Sequence, residues 1–185
     1  VSTSTGSATP VTPASIGLFS SGAVSLTSSG LVASTSGAAN AGSIVLEGTS
    51  VAIAGSAQRA RRDMSGDVVV EDGAPVFDSS GLEATSTQPG ATGGLAGSIL
   101  VKGDTITVTD GAALATTTAS DQIDFSGTAG SITLQGLSDF FAADIDVADS
   151  TINSSSTGLA QAGFINVYGN FETAQVSFTN AEVTS

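Results

Sequence analysis

The chain has 185 residues, of which 40% are apolar and only 11% charged, with 23 glycines and a net charge of −13 from 4 basic and 17 acidic side chains. It holds no cysteine and no histidine, which excludes disulfide staples, Cys/His zinc sites and every nucleophile arrangement that needs an imidazole. Four cations do not make a phosphate-binding patch, and no apolar run approaches the ~20 residues that span a bilayer, so neither nucleic acid nor membrane insertion is expected.

In chain order, residues 1–15, "VSTSTGSATPVTPAS", read as an uncharged, Ser/Thr-rich extended segment able to add a strand to a neighbour's sheet edge. Residues 16–185 read as a single domain built on a recurring pattern. "AGSIVL" at 41–46 returns as "AGSILV" at 96–101, "AGSITL" at 129–134 and "AGFINV" at 162–167, with weaker relatives "SGAVSL" at 21–26 and "SGDVVV" at 65–70. The anchors Gly22, Gly42, Gly66, Gly97, Gly130 and Gly163 are separated by 20, 24, 31, 33 and 33 residues, which suits about six laps of unequal length.

Six residues after several anchors a second glycine leads into another alternating stretch: Gly48 into "TSVAIAG", Gly103 into "DTITVTDG" and Gly169 into "NFETAQVSF". Alternation such as Ile106 and Val108 between Thr105, Thr107 and Thr109 is the period-two mark of a half-buried strand. Insertions are expected near 56–64, 85–94 and 137–146. The second of these, "TSTQPGATGG" at 85–94, reads as a loop, and residues 138–148 as a loop or short helix. A sandwich of hairpins needs tight two-residue turns, and Asp72-Gly73 and Asp110-Gly111 are the only Asp-Gly pairs. The expected fold is all-β: a right-handed parallel β-helix with glycine corners and stacked Ile, Val, Leu and Phe inside.

The cadence "GGLAGSILVKGDTITVTDGAALATTTASDQIDFSGTAGSITLQG", residues 93–136, resembles the haemagglutinin-type repeats of bacterial two-partner-secretion exoproteins, the filamentous-haemagglutinin-like adhesins. Those repeats run as a Gly-Gly-x-Ile-x-Leu strand, a second strand ending near Asn-Gly or Asp-Gly, then an Ala-x-Ile-x-Ala-Thr-Thr patch. The similarity is clearest over 41–58 and 93–170. It implies a secreted or surface-displayed β-helical protein of a bacterium with an outer membrane, working in adhesion, an extracellular fibre or a biofilm matrix.

Four candidate sites stand out. Asp139, Asp144, Asp146 and Asp149 could offer hard oxygen ligands to calcium, the only cofactor the sequence suggests, although neither the EF-hand order nor the Gly-Gly-x-Gly-x-Asp nonapeptide is present and solvated carboxylates are the simpler reading. Asp121 with Asp124, or Asp144 with Asp146, could be paired carboxylates for polysaccharide cleavage; no cation follows Lys102 to steady an anionic intermediate. "QRARRD" at 58–63 fits a dibasic processing pattern, and its Arg59, Arg61 and Arg62 form the only cationic patch of an acidic chain, hence a candidate self-association site. "TITVT" at 105–109 suggests the threonine ladder of an ice-binding solenoid, but the corresponding positions read Ser50 and Ala52 in one lap and Thr173, Gln175 and Ser177 in another.

The functional expectation is a structural or adhesive extracellular protein, not an enzyme, whose partner is itself in an end-to-end filament and whose receptor is a host or cell-surface glycan. The alternative is a carbohydrate-binding or polysaccharide-cleaving β-helix.

Overall fold

The computed structural model describes residues 1–5, 14–55, 59–60, 70–71, 74–75, 77–78, 80–90, 93–121, 130–137, 143–169 and 174–185. Among these, every regular element is a strand. Three parallel sheets carry the fold. The first contains β2 (Ile16–Phe19), β5 (Ile44–Glu47), β13 (Ile99–Lys102), β16 (Ile132–Gln135) and β19 (Ile165–Tyr168). The second contains β3 (Ala23–Thr27), β6 (Ser50–Ala54), β14 (Thr105–Thr109), β17 (Asp144–Ala148) and β20 (Val176–Thr179). The third contains β1 (Ser2–Thr5), β4 (Gly30–Thr35), β11 (Gly81–Glu83) with β12 (Ser86–Gly90), β15 (Ala113–Ser120), β18 (Thr151–Ser156) and β21 (Glu182–Thr184). Two short antiparallel pairs, β7 (Arg59–Ala60) with β10 (Phe77–Asp78) and β8 (Val70–Glu71) with β9 (Ala74–Pro75), lie in the chain between β6 and β11.

The chain visits the first, second and third sheets in that order and then repeats, each strand pairing in parallel with its counterpart of the round before, an arrangement compatible with a β-solenoid. Parallel neighbours sit about 4.8 Å apart, so equivalent residues stack into columns. Ile16, Ile44, Ile99, Ile132 and Ile165 form one column of the first sheet. Val24, Val51, Ile106, Ile145 and Val176 form one of the second, and Leu31, Leu82, Leu114, Ile152 and Val183 one of the third. The alternation seen in the sequence is what places these side chains inward: in β13 and β14 Ile99, Val101, Ile106 and Val108 are all but fully buried while Leu100, Lys102, Thr105 and Thr107 face out. Each such buried Ile, Leu or Val contributes about 1.5–3 kcal/mol by its removal from water.

Glycine at the entry to the first sheet is enforced by stacking. A Cβ on Gly42 would fall on the carbonyl oxygen of Ala14, one on Gly97 on that of Gly42, and one on Gly130 on that of Gly97; the register carries the same column on to Gly163. Each methyl would point at the preceding round. The corner between the second and third sheets instead uses short polar residues in the left-handed region: Ser28, Asp110, Asp149 and Asn180 have φ of 47°, 57°, 49° and 49°.

The described strands make five rounds with β1 ahead of them, not six laps. Gly22, read as an anchor, lies instead at the corner between the first and second sheets, where its carbonyl accepts the amide of Thr49 (2.8 Å); Gly66 lies outside the described residues. The loop expected at 85–94 and the loop or short helix expected at 138–148 are each strand in part. Ser86–Gly90 is strand β12, paired with both β4 and β15, and Asp144–Ala148 is strand β17. The loop near 56–64 falls almost wholly outside the described residues, as do 138–142. Residues 2–5 of the N-terminal segment pair in register with β4 of the same chain, Ser2 opposite Val32 and Thr5 opposite Thr35.

Candidate functional site

A stacked parallel sheet leaves an unpaired strand at each end, with main-chain N–H and C=O groups facing outward. Among the described residues those strands are β19, β20 and β21 at one end and β2, β3 and β1 at the other. The core columns run into the first end uncovered. Ile145, Val147 and Ile152 are 2%, 0% and 0% exposed, whereas the next members of their columns, Val176, Phe178 and Val183, are 42%, 45% and 45% exposed. Ile165 and Val167 beside them are only partly buried, as are Leu18, Val24 and Leu26 at the opposite end.

Two outward columns change character at these ends. Phe19, Glu47, Lys102, Gln135 and Tyr168 occupy one column of the first sheet. Its middle is polar, with Lys102 Nζ 4.0 Å from Glu47 Oε2, and its two ends are aromatic, Phe19 being 69% and Tyr168 50% exposed. In the other column the amide of Ser43 donates to Ser15 Oγ (3.1 Å), that of Ser98 to Ser43 Oγ (3.4 Å) and that of Ser131 to Ser98 Oγ (3.3 Å). Phe164, exposed, takes that place in the last round.

The acidic residues singled out in the sequence occupy different settings. Asp144 and Asp146 point outward from β17, where Asp144 Oδ1 accepts the amide of Gln175 (3.2 Å) and Asp146 Oδ1 accepts the hydroxyl of Ser177. Asp149 lies at the following corner and accepts from Asn180 Nδ2 at 3.1 Å. Asp139 lies outside the described residues, and among those described no group of three Asp or Glu side chains gathers as a metal site. Asp121 Oδ1 accepts the amide of Leu159 (2.9 Å), bridging one round to the next, and Asp124 lies outside the described residues. Arg59 stands opposite Asp78 in the β7–β10 pair; Arg61 and Arg62 are not among the described residues. The register places Ser50 and Asp144 on either side of Thr105, and Ala52 and Asp146 on either side of Thr107, so no threonine ladder runs down the second sheet.

Sequence reading did not single out Phe19 and Tyr168. The signal lies in their offset: Tyr168 is the fifth residue after its anchor glycine, as Glu47 and Lys102 are after theirs, but Phe19 follows Ala14, where no glycine marks the start of a round. Comparison with protein-family models, curated proteins and solved structures returns no match.

Proposed function

We propose that this chain is a structural or adhesive extracellular protein whose strands wind as a right-handed parallel β-helix and which assembles end to end into a surface or matrix filament. The observation that carries the reading is the exposure of Val176, Phe178 and Val183, which continue buried columns into β20 and β21, the last described strands of their sheets. Apolar stacks with open main-chain edges are templates for another strand layer. A side wall of Ser, Thr and Ala with few charges, and the resemblance of residues 93–136 to adhesin repeats, support an extracellular setting in a bacterium with an outer membrane.

Sedimentation velocity over a range of concentrations, with negative-stain images of the same samples, tests the assembly. The expected result is mass that grows with concentration and filaments about as wide as one solenoid. A chain that stays monomeric at every concentration overturns the reading.

A further inference from the structure

The two ends of the molecule are not alike, and their differences select how copies meet. Residues 1–46 carry no charged side chain, so β2, β3 and β1 present none, and the round next to them carries Glu47 and Glu83. The last round at the opposite end carries Glu182 in β21, with Asp144, Asp146 and Asp149 in the round next to it. Joining two last rounds brings Glu182 of both copies to one joint, whereas joining a last round to a first round sets it against strands without charged side chains. The side-chain columns point the same way. Stacking the last round on the first round of a second copy lays Ile165 over Ile16, Val167 over Leu18, Val176 over Val24 and Phe178 over Leu26, and outside it brings Tyr168 beside Phe19. Those two exposed aromatics end a column whose interior members are Glu47, Lys102 and Gln135.

One element stands in the way. The first and second sheets begin with β2 and β3, but the third begins one strand earlier, with β1 on the edge of β4. An incoming last round therefore meets a step of one strand spacing, about 4.8 Å, on the third sheet alone. By the column register β21 belongs opposite Gly30, Leu31 and Val32, while β1 pairs with Val32–Thr35 and the carbonyl of Val1 already accepts the amide of Val32 (3.0 Å). The strands compete for one edge. β1 is a poor competitor: its four residues, Ser2–Thr5, are Ser and Thr, with none of the aliphatic side chains that fill the columns elsewhere.

Resting on the end-to-end reading above, we infer that copies of this chain join head to tail, with Tyr168 docked against Phe19 of the second copy and β21 taking the edge of β4 that β1 vacates. β1 is then a removable stop that holds the first round closed until a second copy arrives.

The chain has no cysteine of its own, so cross-linking reports on the joint cleanly. Phe19→Cys and Tyr168→Cys proteins are oxidised separately and mixed; adjacent parallel strands lie within disulfide reach. Only the mixture is expected to give covalent dimers. Covalent dimers from Tyr168→Cys alone, or from Phe19→Cys alone, overturn the polarity. Absence of association by sedimentation in the unsubstituted chain overturns the end-to-end reading itself, a distinguishable failure. Removing residues 1–5 is the second arm, with far-UV circular dichroism confirming the fold. If β1 is detached in roughly a tenth of molecules, its removal tightens association about tenfold. Association that is unchanged or weakened by the truncation overturns the stop, a weakened one marking β1 as a strand donor.

Discussion

Gly130 sits so close over Gly97 that a single methyl on it would overlap the carbonyl of the round beneath. The obstacle is main chain, so a substitution here moves a whole round. Gly130→Ala is expected to destabilise the fold by about 2–3 kcal/mol, the upper range for overpacked sites. Gly22→Ala, where an added Cβ meets nothing nearer than Ser20 Oγ at 3.8 Å, is the control and should stay within about 0.5 kcal/mol. Urea unfolding of the two variants makes the comparison.

The carbonyl of Gly130 is also an acceptor for two buried hydroxyls, Thr116 Oγ1 at 2.7 Å and Ser154 Oγ at 2.9 Å, one from each of two consecutive rounds of the third sheet. Thr116→Val should cost about 1 kcal/mol while Ser154 still serves the carbonyl, and Thr116→Val with Ser154→Ala more than the sum of the two, because only the double variant leaves the acceptor unsatisfied. A double-mutant cycle by chemical unfolding measures the excess.

Column position, not residue type, should set the cost of truncation. Leu114 is fully buried, and Leu114→Ala is expected to cost about 2–5 kcal/mol. Val183 ends the same column at 45% exposure, so Val183→Ala should cost the isolated chain less than about 1 kcal/mol. If the last round is a joint, the order reverses in assembly: Val183→Ala weakens association of a chain whose unfolding midpoint hardly moves. Thermal unfolding and sedimentation of the same samples separate the two effects.

The ion pair of Lys102 with Glu47 is long and only half-buried, and it should contribute little. Lys102→Ala is expected to change stability by less than about 1 kcal/mol, with the same unfolding midpoint at low and at moderate salt. A loss well beyond that would show Lys102 to act through packing of its aliphatic stem along the column between Glu47 and Gln135.

Much of the fold could be read from local pattern. The alternation in "TITVT" put Ile106 and Val108 inside, and the recurrence of Gly-Ser-Ile at Gly42, Gly97 and Gly130 marked three genuine stacking positions. The reading failed where locally similar glycines play different parts. Gly22 looks like an anchor because it precedes an alternating strand, yet it turns the chain from the first sheet to the second. "STQPG" at 86–90 looks like a loop because its Pro and Gly favour turns, yet it is held as a strand by β4 and β15, partners distant in sequence. Of the acidic candidates, Asp121, Asp144, Asp146 and Asp149 were visible as residues, but that each is tied by a hydrogen bond to the next round depends on which rounds are neighbours.

The sequence by itself determined that the chain is built of strands with one apolar face, that glycine recurs at their entry, and that its surface is acidic with very few cations. These are properties of side chains and of residues near one another, so they survive without a fold. Only the tertiary structure decided that the described strands make five rounds, that Tyr168 and Phe19 are the last and first described members of one column, and that β1 and β21 belong to the same kind of edge. Those facts depend on register between residues tens of positions apart, and register is fixed by main-chain hydrogen bonds between rounds whose lengths differ too much for spacing alone to align them.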